Sequence, residues 1–175
     1  MYSSTPQVKR QTARGFTLIE TLIAIVILIA AITGPLTLAT KSLFASFVAR
    51  DQLVASFLAQ DAVEYVRFKR DSNFRSGDDW LSGDLALCIS PSSCEVDSVA
   101  DTVTACDSEC TNLLRNEQGF YGYTSGDVTM FNRSVTLIPV VGNSEEYIVD
   151  VILSWKTGIF TRSHTTKEHI YNWLQ

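Results

Sequence analysis

Residues 16–40 read FTLIETLIAIVILIAAITGPLTLAT, and Glu20 is the one charged side chain among them. At 1.5 Å per helical residue these 25 positions reach ~37 Å, enough to cross a hydrocarbon core of ~30 Å. Hydrophobic residues make up 46% of the 175-residue chain, and this run holds the excess; the remainder has the composition of an ordinary globular domain. On the N-terminal side stand Lys9, Arg10 and Arg14 with no acid, a charge of +3, so the net −5 of the whole chain leaves −8 for residues 16–175. The basic flank favours a cytoplasmic N-terminus and an exported C-terminal part, although Lys41 and Arg50 stand beyond the other end of the run. An acidic body argues against direct binding of nucleic acid, whose phosphates call for a basic surface.

Two simpler readings compete for this segment. A secretory signal peptide would have the basic start, the apolar stretch and a small-residue cleavage site at Thr37-Leu38-Ala39, but its apolar stretch is ordinarily much shorter. An unprocessed signal anchor fits the length. Neither accounts for Glu20, because a carboxylate in mid-membrane costs on the order of 2.5–3.5 kcal/mol and marks a functional position by default. Cleavage between Gly15 and Phe16 would supply its partner. It would create an α-amino group on Phe16, one helical turn from Glu20, and the two charges could pair within a chain or between packed chains.

The stretch Arg14-Gly15-Phe16-Thr17-Leu18-Ile19-Glu20 resembles the processing site of type IV pilins and type II secretion pseudopilins. The resemblance covers residues 9–40. It implies that prepilin peptidase removes a leader ending at Gly15 and methylates the new terminus, Phe16. It also implies that Glu20 pairs with the terminus of a neighbouring subunit during assembly. The partners it implies are other pilin subunits, prepilin peptidase, the inner-membrane assembly machinery and membrane lipid.

Gly34-Pro35 interrupts the apolar run. Proline removes a backbone donor and clashes with the preceding turn, so a kink or a locally melted turn is expected here. From Lys41 to about Phe68 a helical period continues. Phe44, Val48, Ala55, Leu58, Ala62 and Tyr65 form an apolar stripe, Phe47, Val54 and Phe57 thicken it, and Asp51 interrupts it. Gly77, Asp78-Asp79 and Gly83 lie in the segment that marks the end of this helix.

Cys88, Cys94, Cys106 and Cys110 are the four cysteines of the chain, set among serine, proline and aspartate. An even count in an exported domain favours disulfides. Of three possible pairings, Cys88–Cys94 with Cys106–Cys110 closes the shortest loops, but the sequence does not decide between them. Zinc is the rival, and the spacings lack the two-residue knuckle usual in such sites. Neither a metal nor a cofactor is expected.

Residues 130–138, 147–155 and 167–173 alternate with the period of a strand, and 120–123 adds a short one. Glycine-bearing turns between them suggest an antiparallel meander. This part is similar to the sheet of minor pilins and minor pseudopilins, in which a valine-rich strand ending near a tryptophan precedes a closing strand. Neither His164 nor His169 belongs to a catalytic pattern, and their spacing on a strand points them to opposite faces. Asn132-Arg133-Ser134 matches a glycosylation sequon, but reads more simply as part of a strand.

The expected fold class is therefore α+β and pilin-like: a long N-terminal helix, its lower half transmembrane, packed on a small antiparallel sheet. The expected divisions are a leader at 1–15, removed; a transmembrane and assembly helix at 16–40; its amphipathic continuation at 41–70; an irregular cysteine-bearing connector at 71–118; and a C-terminal sheet at 119–175. The expected function is that of a structural, minor subunit of a pilus or related filament and not an enzyme. A membrane-anchored binding module that never assembles is the alternative.

Overall fold

A computed structural model describes residues 15–172. Helix α1 spans Leu18–Ser76, and seven strands follow: β1 (Cys94–Asp97), β2 (Thr102–Ala105), β3 (Asn112–Arg115), β4 (Tyr121–Gly122), β5 (Asp127–Val140), β6 (Asn143–Thr157) and β7 (Phe160–Tyr171). The chain divides into two units, Met1–Ser46 and Phe47–Gln175. In the first, the described residues are helical from Leu18 onward and all are exposed. The second is an α+β body with one antiparallel sheet.

The sheet is built around β5. One edge of β5 pairs with β6 from Asn132 to Val140, and β6 pairs in turn with β7 from Glu146 to Thr157. The other edge of β5 is shared: β3 takes Asp127 to Asn132, and β1 meets Val135 through Cys94. The last three strands thus form the expected meander, while the stretch 71–118 is more ordered than an irregular connector. It holds the last turns of α1, a 3₁₀ helix at Gly83–Cys88, and three short strands that extend the sheet. Those strands are only four residues long, too short for their alternation to stand out from the surrounding polar residues. Strand β7 also begins earlier than the alternation of 167–173 suggests. Its first half is Phe-Thr-Arg-Ser-His-Thr-Thr, whose inward positions are polar. Trp173 lies outside the described residues.

The core forms where α1 lies on the inner face of the sheet. Ala55, Ala59 and Ala62 are wholly buried, and with Leu58, Val63 and Val66 they face Val135, Leu137, Val149, Val151, Leu153 and Trp155. The bulkier Phe44, Phe47 and Phe57 stay more than half exposed, so they lie outside the core stripe expected of them, which runs instead through Ala59, Val63 and Val66. Asp51, expected to interrupt the stripe, is itself buried, with the Arg50 guanidinium 3.4 Å away.

The helix continues two turns past the apolar pattern and stops at Gly77, whose φ of 79° takes the left-handed form that favours glycine. Gly77 N–H donates to the Phe74 carbonyl at 3.1 Å and Asp78 N–H to that of Asn73 at 3.0 Å, the paired bonds of a Schellman terminus. The Asn73 amide then reaches the carbonyls of Trp80 and Ser82. These polar caps, absent from a reading based on apolar period alone, carry the end of the helix from 68 to 76.

Candidate processing and assembly site

Residues 15–21 open the first unit. Thr17 caps α1: its hydroxyl accepts the Glu20 N–H at 3.3 Å, and its carbonyl accepts from Glu20 at 3.1 Å and Thr21 at 3.2 Å. Thr17 and Glu20 therefore have the residue types and spacing of a capping box, and an acid in the first turn complements the partial positive charge of the helix start. Gly15 is not required by packing. A Cβ there would meet nothing within 4 Å, and its φ is outside the left-handed range.

From Thr21 to Thr40 the helix carries no charged side chain. Thr21 returns its hydroxyl to the Leu18 carbonyl at 2.8 Å, Thr33 to Ile29 at 3.0 Å, Thr37 to Gly34 at 2.8 Å and Thr40 to Thr37 at 3.0 Å. Each hydroxyl is satisfied within its own helix and presents a methyl group outward, the arrangement hydrocarbon surroundings demand. From Gly15 to Phe47 every residue is exposed. An apolar surface of that extent calls for lipid or for other helices. The helix runs on through Gly34 and Pro35, so there is no melted turn at that position. Beside the missing proline donor, the Thr37 hydroxyl supplies an added bond to the Gly34 carbonyl.

The prokaryotic N-terminal methylation motif matches residues 10–34. Over these residues the chain carries the motif found in type IV pilin-like proteins. No curated protein and no solved structure matches it. The motif marks the pilin-like chain as a substrate of prepilin peptidase, anchored in the membrane by the first part of α1. Lys9, Arg10 and Arg14, expected to belong to a leader, lie outside the described residues.

In the second unit the cysteines pair as two local loops, Cys88–Cys94 and Cys106–Cys110. The first lies within the core, both sulfur-bearing residues being fully buried, and the second folds over the outer face of the sheet. Beside it is a groove of about 890 Å³ with Asn112, Asn132, Ser134 and Ser154 on its walls. The Asn132 amide of the sequon donates to the Cys110 carbonyl.

Arg133, Asp97 and Asp150 are buried charges that the sequence pattern did not reveal. Arg133 is completely buried and links three elements. Its guanidinium donates to the Leu58 carbonyl of α1 at 2.8 Å, to the Asp61 carboxylate at 3.0 Å and to the Val96 carbonyl of β1, and it lies 5.9 Å from the Tyr123 ring centre. Asp97 is 2% exposed and holds the loop after β1 against β4, accepting from the N–H groups of Val99, Ala100 and Tyr123 and from the Thr124 hydroxyl. Burial pushes its carboxyl up, but these four bonds outweigh burial and leave it below the ordinary aspartate value. A Cβ at Gly122 would fall 2.8 Å from both Asp97 carboxylate oxygens, so glycine is needed there.

A third cluster closes the top of the helix. Tyr65 donates to Asp101 at 2.9 Å, and Lys69 lies 3.0 Å from the same oxygen. Burial, and then the Asp101 bond, push the Tyr65 phenol up to about 12. His164 and His169 occupy opposite faces of β7. His164 lies 3.0 Å from the Gln52 amide, and His169 lies 2.5 Å from Glu146. Among the described residues no group of three or more His, Cys, Asp or Glu is disposed to hold a metal ion.

Proposed function

We propose that this chain is a structural, minor subunit of a type IV pilus or a related pilin-like filament. Prepilin peptidase cuts after Gly15 and methylates Phe16, and the inner-membrane machinery assembles the mature chain with other pilin subunits through its N-terminal helix. The N-terminus faces the cytoplasm before processing, and the body carrying the disulfides is exported. A bend at Gly34-Pro35 would let the helix adapt to its neighbours. The two local disulfide loops, clustered in one segment, favour a minor over a major subunit.

One observation carries this reading: Glu20 is a lone carboxylate on an exposed apolar helix, one turn after the position where cleavage would free an amino group. Pairing with the Phe16 terminus of a neighbour would offset the cost of keeping both charges in lipid. N-terminal mass analysis of the mature protein should find methyl-Phe16. A terminus at Thr40 would mean signal-peptidase cleavage, and an intact Met1 an unprocessed anchor. Glu20→Ala should still insert in the membrane but be depleted from filaments at least about tenfold, the effect of ~1.4 kcal/mol in assembly. Normal incorporation would defeat the pairing.

The second reading, a membrane-anchored binding module that does not assemble, draws on the polar groove beside Cys106–Cys110. It expects no change in any localisation of the Glu20 variant.

A further inference from the structure

The β6–β7 hairpin ends in Thr157-Gly158-Ile159-Phe160, with Thr157 paired to Phe160 across the turn. Gly158 has a φ of 64° as the first central residue, a geometry that puts Ile159 at the apex. Ile159 is 92% exposed and Phe160 60%. Two-residue turns favour Gly, Asn, Asp or Ser at their centre, and no feature of this turn calls for isoleucine followed by phenylalanine. Along the chain, the charge flanking the tip is also one-sided. Residues 151–167 contain Lys156, Arg162 and Lys167 and no acid, in a chain whose net charge is −5. Lys167 is paired with Asp150, while Lys156 and Arg162 are in no ion pair among the described residues. Asp107 and Glu109 stand near Lys156 along the groove on the outer face, which leaves Arg162, on the inner side, as the cation they do not border.

The position of this tip within the second unit follows from two contacts. Strand β7 rises along α1 in the same sense as the helix: His164 meets Gln52, and Glu168 meets Arg67. Ile159 lies five residues before His164, a displacement of roughly 17 Å along the strand. Only ~8 Å of helix separates Gln52 from Phe47, where the unit begins. The tip therefore lies at the Phe47 end, where Phe47 is itself 55% exposed and carries the Arg50 guanidinium 5.7 Å from its ring centre. Thr40, the last residue of the apolar run, is seven residues before Phe47, so chain length alone keeps this end within about 25 Å of the membrane boundary.

We propose that the β6–β7 hairpin tip is a membrane-surface anchor: Ile159 and Phe160 insert into the headgroup–acyl boundary of the leaflet next to the globular unit, and Lys156 and Arg162 meet anionic lipid. A short apolar tip flanked by cations suits that layer, where side chains bury about 5–10 Å deep and each nearby cation adds attraction to anionic lipid. The occupant is lipid rather than a second subunit because the chain tethers this end of the unit to a bilayer before any filament exists. The proposal rests on residues 16–40 spanning that bilayer.

The test uses the full chain reconstituted at low density in vesicles containing phosphatidylglycerol. Its four cysteines are all in disulfides, so single cysteines can carry a fluorophore. Ile159→Cys, Val141→Cys at the exposed turn between β5 and β6, and Ile25→Cys in the apolar run are labelled in turn. Nitroxides on the lipid acyl chains should quench the label at 159 severalfold more than that at 141, with the label at 25 quenched by the deepest probes. Equal quenching at 159 and 141, with 25 still deep, overturns the anchor and leaves the span intact. Shielding at 159 that appears only in assembled filaments makes the tip a subunit contact and also overturns it. Loss of quenching at 25 removes the span and the anchor together.

Discussion

Replacing Arg133 by methionine keeps most of the side-chain volume and removes every donor. Arg133 is wholly buried and donates to three acceptors: the Leu58 and Val96 carbonyls and the Asp61 carboxylate. The Leu58 carbonyl keeps its helical bond and Asp61 keeps Ser98, so the Val96 carbonyl is the acceptor that loses most, at about 1–3 kcal/mol. Asp61 keeps 39% of its side-chain surface in water, so the loss of its ion pair adds less than about 1 kcal/mol. The methionine recovers part of this by burying its own apolar surface, and about 1–3 kcal/mol is the expected net loss. Against a typical stability of 5–15 kcal/mol that is a large fraction. Urea unfolding of the full chain in detergent, followed by the fluorescence of the buried Trp80 and Trp155, would measure it. Asp61→Asn, tested alongside, should cost less than about 1 kcal/mol. If Arg133→Met costs less than 1 kcal/mol, or if Asp61→Asn costs as much as Arg133→Met, the carbonyl-bridging account is wrong.

Gly122→Ala would set a methyl group 2.8 Å from the Asp97 carboxylate, and displacement of that carboxylate should lower stability by about 2–4 kcal/mol in the same unfolding assay. Because the folded-state pKa of Asp97 is lowered, its contribution is present above the unfolded value of about 4 and fades as pH falls through the folded value; Asp97→Asn should therefore narrow its deficit to wild type in melts taken from pH 5 down to pH 2. Replacing Cys88 and Cys94 by alanine opens a loop with a sequence separation of 6, worth about 2 kcal/mol by loop entropy. Since both residues are fully buried, the midpoint loss should exceed that of the Cys106/Cys110 double variant, whose loop lies over the outer face.

The helix and the sheet were legible to different degrees. For residues 16–40 the apolar run is its own signal. In 41–68 the period places Ala55, Leu58, Ala62 and Tyr65 correctly in the core, whereas Phe44, Phe47 and Phe57 stay exposed and Ala59, Val63 and Val66 complete the buried face. The strands β1 to β3 were hidden because each is too short for its alternation to be read; they become strands by pairing with one another and with the long β5. A signal for Arg133 was available. In 130–138 it alternates on one face with Phe131, Val135 and Leu137, all buried, and an arginine on such a face calls for named acceptors. No comparable signal existed for Asp97, whose donors lie on both sides of a loop and on residues 26 and 27 positions later.

The sequence alone determined the membrane helix, the methylation motif and the spacing of Glu20 from Phe16. These depend on hydrophobicity, residue type and helical pitch, all of which are local. Only the tertiary structure decided which cysteines pair, that Arg133 joins α1 to β1 and β5, and that the apex at Ile159 lies at the Phe47 end of its unit. The last two of these rest on contacts between residues far apart in the chain. Such contacts form only when the sheet closes on the helix, and no local pattern encodes them.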